Sequence, residues 1–195
     1  MDVHYGLEQS LAPTVEPLTS AETKLHLRVE ITEDDALIGN LIKAARQYAE
    51  EYTRRQLITA TWKLYLDEFP DVITLFRPPL QTTGTSIQYV DDNGITQTLA
   101  ASVYQIDTTS VLPRIRPAYG QSWPSTRPIM NAVITTYKNG YGDAATSVPE
   151  PIRQALRLLV GHWYENRESV SGVRLEIVPH AVELLLWPYR VLEGD

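Results

Sequence analysis

The sequence predicts an α+β fold: a helical bundle with a β-rich insertion between its second and penultimate helices. Two changes of hydrophobic period carry this prediction. Apolar residues recur at helical spacing over 19–57 and 147–190, whereas they alternate with polar residues over much of 58–139. Glycine, proline and asparagine separate the short segments of the insertion. A length of 195 residues fits one domain, 1–195, that contains all of these parts.

The first two helices begin at capping sequences. Residues 1–18 show no periodicity, and we expect them to form a flexible arm. Thr19 and Glu22 fit the T-x-x-E capping box, which predicts a short helix with Leu25 and Val29 facing inward. Thr32 precedes a longer helix, whose first turn is acidic as the helix dipole favours. Its inward face is predicted to carry Leu37, Leu41, Ala44, Ala45, Tyr48 and Tyr52, and its outer face Asn40, Lys43, Gln47, Glu50 and Arg54.

The middle of the chain is predicted to contain short strands joined by turns. Apolar and polar side chains alternate in TATWKLYLDEF, as they do in a strand with one buried face. The sequence Asp92-Asn93-Gly94 predicts a hairpin, because Asn and Gly tolerate positive φ. Further strands are predicted at VYQID, PRIRP and NAVITTYKN, and we expect the long linker AYGQSWPSTRP to be mobile.

Two more helices follow the insertion. Pro149 and Pro151 lie where the first turn of a helix has free amides, so they begin a helix without loss of a hydrogen bond. Ser147 and Glu150 are a candidate capping pair. The predicted apolar face consists of Ile152, Ala155, Leu156, Leu159, Val160, Trp163 and Tyr164. A last helix is predicted from about Pro179.

Composition argues against several classes of function. The chain has 17 Lys and Arg against 24 Asp and Glu, a net charge of −7, so broad electrostatic capture of nucleic acid is not expected. Cysteine is absent, which excludes disulfides, thiolate nucleophiles and cysteine zinc sites. No apolar run reaches the ~20 residues of a membrane span, and no signal peptide is recognisable. We therefore expect a soluble protein without membrane contact.

No set of residues matches a catalytic or metal-binding pattern. His162 and Glu165 would meet on a helix, but they lack the H-E-x-x-H spacing and a third ligand. Helix capping and a turn explain the adjacent carboxylates Asp34-Asp35 and Asp91-Asp92. The sequence therefore predicts no enzyme activity, no cofactor and no metal.

The order of the motifs resembles the head-tail connector (adaptor) family of tailed double-stranded DNA bacteriophages and gene transfer agents. The resemblance covers nearly the whole chain, from LTSAETKLHLRV and EDDALIGNLIKAARQYAEEYTRRQL through RPPLQTTGTSIQYVDDNG and YQID to YKNGYGDAATSVPEPIRQALRLLVGHWYENRE and PHAVELLLWPYRV. It implies a structural protein of the virion neck, assembled in the bacterial host cytoplasm, whose copies form a ring, expected to be dodecameric. The ring would join the portal protein to a stopper or tail-terminator protein, and DNA would pass through its lumen without specific binding.

The resemblance also implies a docking element at the carboxyl end. Connector proteins of this kind bind the portal through terminal segments, here the last helix, Pro179 to Arg190, and the tail 191–195. The residues predicted to dock are Leu184, Leu185, Trp187, Tyr189, Arg190, Val191 and Leu192. Contacts between subunits are predicted at arginines of two helices, because the guanidinium fork suits carboxylates across an interface. These arginines are Arg46, Arg54, Arg55, Arg153 and Arg157.

Several alternatives stay open at the level of sequence. The arginines could instead lie on solvated helix faces, and Trp187 could pack in the core of its own chain. A nucleic-acid-binding factor associated with DNA packaging would bind DNA with a salt-sensitive affinity. A small carbohydrate-active enzyme would bring two carboxyl groups within roughly 5 to 10 Å of each other in a cleft.

Overall fold

The structure is a computed structural model that describes residues 5–166 and 180–192. It contains both helices and antiparallel sheets, as an α+β fold requires. The chain forms two compact units. A β-rich unit contains Thr59–Gly140 and the N-terminal residues through Pro13, and a helical unit contains Thr14–Ile58 and the chain from Tyr141 to the last described residues.

The β-rich unit contains eight described strands in two sheets. The strands are β1 (Tyr5–Leu11), β2 (Ala60–Leu66), β3 (Ile73–Thr74), β4 (Ser86–Val90), β5 (Thr96–Thr98), β6 (Tyr104–Asp107), β7 (Arg114–Pro117) and β8 (Val133–Asn139). The five-stranded sheet has the order β1-β2-β8-β4-β5, and the three-stranded sheet has the order β3-β7-β6. Leu64, Ile87, Ile115 and Tyr137 are almost completely buried in the core of this unit.

The predicted hairpin joins β4 to β5. Gly94 has φ = 82°, and the Asp91 carboxylate accepts hydrogen bonds from the amides of Asn93 and Ile95. A carboxylate that accepts bonds from the turn amides stabilises the turn locally, so this element is recognisable from sequence alone.

Residues 5–11 correct the prediction of a flexible arm, because they form strand β1 at the edge of the larger sheet. The strand pairs with β2 from Tyr5–Leu66 to Leu11–Thr61. Nearly all of its side chains are exposed, so its sequence carries no burial pattern. Hydrogen bonds to a distant part of the chain hold it, and local periodicity does not report such bonds.

The linker over 118–128 is also fixed by contacts, in contrast to the mobility expected for it. The Trp123 indole donates a hydrogen bond to the Pro70 carbonyl at 2.8 Å and stacks on Phe69 at a centroid distance of 4.8 Å. The Arg127 amide donates to the Val90 carbonyl. The linker is therefore part of the packed β-rich unit.

The helical unit contains four described α-helices, α1 (Ser20–Leu27), α2 (Asp35–Thr53), α3 (Glu150–Glu165) and α4 (His180–Leu186). Short 3-10 turns occur at Ala145–Ser147 and Trp187–Tyr189 in this unit and at Ala101–Val103 in the β-rich unit. Thr19 caps α1, since its hydroxyl accepts from the Glu22 amide at 3.2 Å. Asp34, not Thr32, precedes α2, and Pro149 precedes α3 without the predicted side-chain cap from Ser147.

The buried face of α2 only partly matches the predicted one, in which Ala45 is buried and Leu41, Tyr48 and Tyr52 are partly buried against the core. It carries Ile38, Ile42, Ala45 and Ala49, and Glu50, which was assigned to the outer face, is also buried. Both stripes have three- and four-residue spacing, so periodicity alone does not choose between them. Similarly, Leu25 is 82% exposed although it was predicted to face inward, and Thr23 is buried in its place. The buried residues of α3 agree with the prediction: Ile152, Ala155, Leu156, Leu159 and Val160.

Candidate docking surface at the carboxyl end

The last described segment is fixed to the carboxyl end of α2. The Val191 amide donates to the Thr53 carbonyl at 2.9 Å, and Arg55 Nε donates to the Tyr189 carbonyl at 2.5 Å. Between these anchors, Arg54 ends α2 in the left-handed conformation with φ = 56°. Carbonyls at a helix end have no partner within the helix, so the returning chain satisfies one of them. The turn at Trp187–Tyr189 therefore has a defined position in the helical unit.

The seven predicted docking residues range from buried to exposed. Val191 is only 5% exposed and therefore does not belong to the candidate surface. Leu185 and Tyr189 are partly buried against the core of the helical unit. Leu184, Trp187 and Leu192 are 62%, 58% and 49% exposed. The alternative in which Trp187 packs in its own core is therefore wrong.

Arg190 lies between two aromatic rings next to these exposed side chains. Its guanidinium carbon is 5.0 Å from the ring centroid of Tyr52 and 5.0 Å from that of Trp187. The Nε atom is buried and has no hydrogen-bond partner. A guanidinium over an aromatic face is attracted by the ring quadrupole. The two rings therefore hold the charge in one place.

Arg46, one of the predicted subunit contacts, lies in the interior of its own chain. It is 5% exposed, and its guanidinium binds Glu16 and Glu50 at 2.7 Å each. Glu50 also accepts from the Gln56 side chain and the Leu57 amide. Burial raises the pKa of Glu50, and Arg46 opposes this rise. The sequence spacing places Glu50 one helical turn after Arg46, so this ion pair could be predicted. No local pattern indicated that Glu16, 30 residues away, would be the second partner.

Arg153 and Arg157 of α3 also bind carboxylates of their own chain. Arg153 contacts Glu22 at 2.6 Å and Glu150 at 2.8 Å. Arg157 contacts Glu150 at 2.6 Å and Glu22 at 3.3 Å. The hydrogen bond from Arg157 is the main reason that the pKa of Glu150 is lowered. These pairs connect the start of α1 to α3, so neither arginine lies on a merely solvated face.

Two grooves of the described chain contain carboxylates, but in neither do two of them form a free pair. A cavity of about 280 Å³ in the β-rich unit is lined by Asp107, Arg114, Arg116 and Gln105. Hydrogen bonds from Ser110 and Arg114 hold the pKa of Asp107 well below its usual range, so this group is a poor general acid.

A wider groove of about 430 Å³ in the helical unit is lined by Glu16 and Asp143, and Arg46 already neutralises Glu16. Within the described ranges, no three His, Asp or Glu side chains converge as a metal site needs. None of the helices described is long and apolar enough to cross a membrane.

Comparison with known proteins agrees with the sequence motifs. The family model described as "Phage gp6-like head-tail connector protein" matches residues 19–106. No curated protein matches the chain. The similarity to head-tail connector proteins predicted from the motifs is confirmed.

Three solved structures that resemble the chain come from gene transfer agent (GTA) particles. A chain in the neck of an empty GTA particle, computed with C6 symmetry, has 25% identity and a TM-score of 0.78, with 97% of this chain and 98% of that chain covered. The virion of a native GTA particle contains a chain with 25% identity and a TM-score of 0.77, covering 96% and 98%. A chain in the neck of a native GTA particle, computed with C12 symmetry, has 26% identity and a TM-score of 0.76, covering 97% and 98%.

Proposed function

We propose that this protein is a structural head-tail connector in the neck of a phage virion or gene transfer agent particle. The observation that carries the proposal is the nearly complete, two-way match to chains of gene transfer agent necks. Its role is mechanical and needs no catalysis. Copies of the chain are made in the bacterial cytoplasm and become part of the virion neck.

In this proposal the subunits form a dodecameric ring. The C6 and C12 symmetries of the matching necks support it, because twelve copies satisfy both. Contacts in a cyclic ring join two different surfaces of each subunit, which closes the assembly without an open end. Four of the predicted arginines are still proposed to lie near these contacts: Arg54, Arg55, Arg153 and Arg157. Bonds to a neighbouring subunit would form in addition to the bonds that these arginines make within their own chain.

The ring is proposed to lie between the portal protein and a stopper or tail-terminator protein. The exposed side chains of Leu184, Trp187 and Leu192 form the proposed portal-facing surface, since a group of exposed apolar side chains in one segment is typical of an interaction site. The net charge of −7 lets DNA pass through the lumen without the counterion release that drives DNA binding.

The test is the mass of the complex formed with the cognate portal protein. Light scattering is measured on the chain alone, on the portal alone and on their mixture. Trp187→Ala removes the largest exposed ring of the proposed surface, whereas Tyr119→Ala removes a fully exposed ring of the β-rich unit and is the matched control. We expect a portal-dependent ring with the wild type and Tyr119→Ala, and a weaker complex with Trp187→Ala.

A different outcome would favour the alternative function. If the chain ignored the portal and bound duplex DNA with a steep salt dependence, the connector proposal would fail. The protein would then be a nucleic-acid-binding factor associated with DNA packaging.

A further inference from the structure

Arg190 has a fixed position without an anionic partner among the described residues, unlike three other arginines of the helical unit. Arg46, Arg153 and Arg157 each bind two carboxylates. Arg190 instead contacts the rings of Tyr52 and Trp187, and over residues 5–166 and 180–192 no carboxylate pairs with it. A guanidinium stays charged at every physiological pH. The charge at this end of the unit is therefore available to an anion from outside.

The two rings prepare this charge for binding. An arginine side chain loses much rotamer freedom when it is immobilised in a complex, and this loss weakens binding. Here the contacts at 5.0 Å on both rings restrict the side chain before any partner arrives. The guanidinium fork matches a carboxylate with two parallel hydrogen bonds.

Three apolar side chains close to Arg190 in sequence are exposed. Leu184 and Trp187 are more than half exposed, and Leu192 is 49% exposed. Interface hot spots are enriched in tryptophan and arginine, and apolar neighbours strengthen an ion pair when they exclude water from it. A segment that fits this surface has one acidic residue between apolar side chains.

We infer that the surface formed by Leu184, Trp187, Arg190 and Leu192 binds an acidic, apolar segment of the portal protein, with a portal carboxylate paired to Arg190. This inference rests on the proposed function, which makes the portal the protein that meets this surface. It adds the chemistry of the partner, namely a carboxylate in an apolar segment.

The test measures affinity for the cognate portal at several salt concentrations. Arg190→Gln removes the charge, Arg190→Lys keeps the charge without the fork, and Arg127→Gln removes an exposed arginine of the β-rich unit as a control. We expect Arg190→Gln to weaken binding by about tenfold or more and to reduce the salt dependence. We expect an intermediate loss for Arg190→Lys and no change for Arg127→Gln. Thermal unfolding of each variant verifies that the fold is retained.

Each other outcome overturns a specific part. If Trp187→Ala weakens binding while Arg190→Gln keeps the affinity and the salt dependence of the wild type, the docking surface stands and the carboxylate partner is wrong. If the wild type does not bind the portal at all, the proposed function fails first and the inference fails with it.

The chain's own acidic residues at its carboxyl end are tested separately with Glu193→Gln/Asp195→Asn. The NMR signal of the Arg190 Nε–H in the free protein is expected to be unchanged by this double substitution. A shift as large as the one that portal binding causes would assign the partner to the same chain and overturn the inference.

Discussion

Replacing Arg46 with methionine tests whether the most buried arginine stabilises the subunit or joins it to its neighbours. Arg46 binds Glu16 and Glu50, with N–O distances of 2.7 Å, from a side chain that is 6% exposed. Methionine keeps much of the apolar stem but removes the charge. The substitution therefore leaves a buried carboxylate, Glu50, without its cation.

The expected loss follows from the burial of this pair. Removal of one partner from a buried ion pair costs about 3 to 5 kcal/mol, because the other charge stays buried. Glu50 retains the Gln56 and Leu57 hydrogen bonds, and the side chain of Glu16 is 30% exposed and can be solvated. The lower value, about 3 kcal/mol, is thus expected. For a chain of this size it corresponds to a fall in Tm of roughly 6 to 12 °C.

The assay is thermal unfolding of the isolated chain, followed by circular dichroism. Lys43→Met is the matched control, because it removes an exposed cation from the same helix three residues earlier. We expect its Tm to remain within about 2 °C of the wild type, as for most surface substitutions. A stable Arg46→Met chain that failed to assemble into rings would refute the reasoning and restore Arg46 as a contact between subunits.

Three further substitutions test other elements. Thr19→Ala removes the cap of α1 and is expected to cost about 1 kcal/mol in denaturant unfolding; an unchanged midpoint would show that the cap adds little. Gly39→Ala adds a Cβ that meets no atom within 4 Å, so the isolated chain is expected to gain up to about 1 kcal/mol, and a loss would contradict this account of the helix. Asp107→Asn removes a carboxylate whose pKa is lower in the folded chain than in the unfolded chain. Such a group stabilises the fold at pH values above the unfolded pKa of about 3.9, and this stabilisation is lost as the pH falls further. The wild type is therefore expected to exceed this variant in Tm at pH 7 and to lose that advantage progressively below about pH 4, whereas a constant difference would disprove the linkage.

The local elements of the chain were predictable because the residues that form them are neighbours in sequence. The Thr19 cap, the hairpin at Gly94 and the apolar face of α3 each depend on side chains within a few positions of one another. Capping and turn bonds are made inside such segments, so the pattern of residues is sufficient to indicate them. The resemblance to connector proteins rested on the order of these same elements.

The tertiary structure decided what distant residues do to one another. Glu16 neutralises Arg46 from far along the chain, and β1 is a strand only because β2 supplies its hydrogen bonds. Periodicity fixed that α2 is amphipathic but not which stripe is buried, since that choice depends on the packing of the whole helical unit. The same holds for Arg190: its residue type was evident from the sequence, but its place between two rings comes from folding. Local patterns report hydrogen bonds and burial within a segment, whereas ion pairs, strand pairing and helix orientation depend on which segments meet in space.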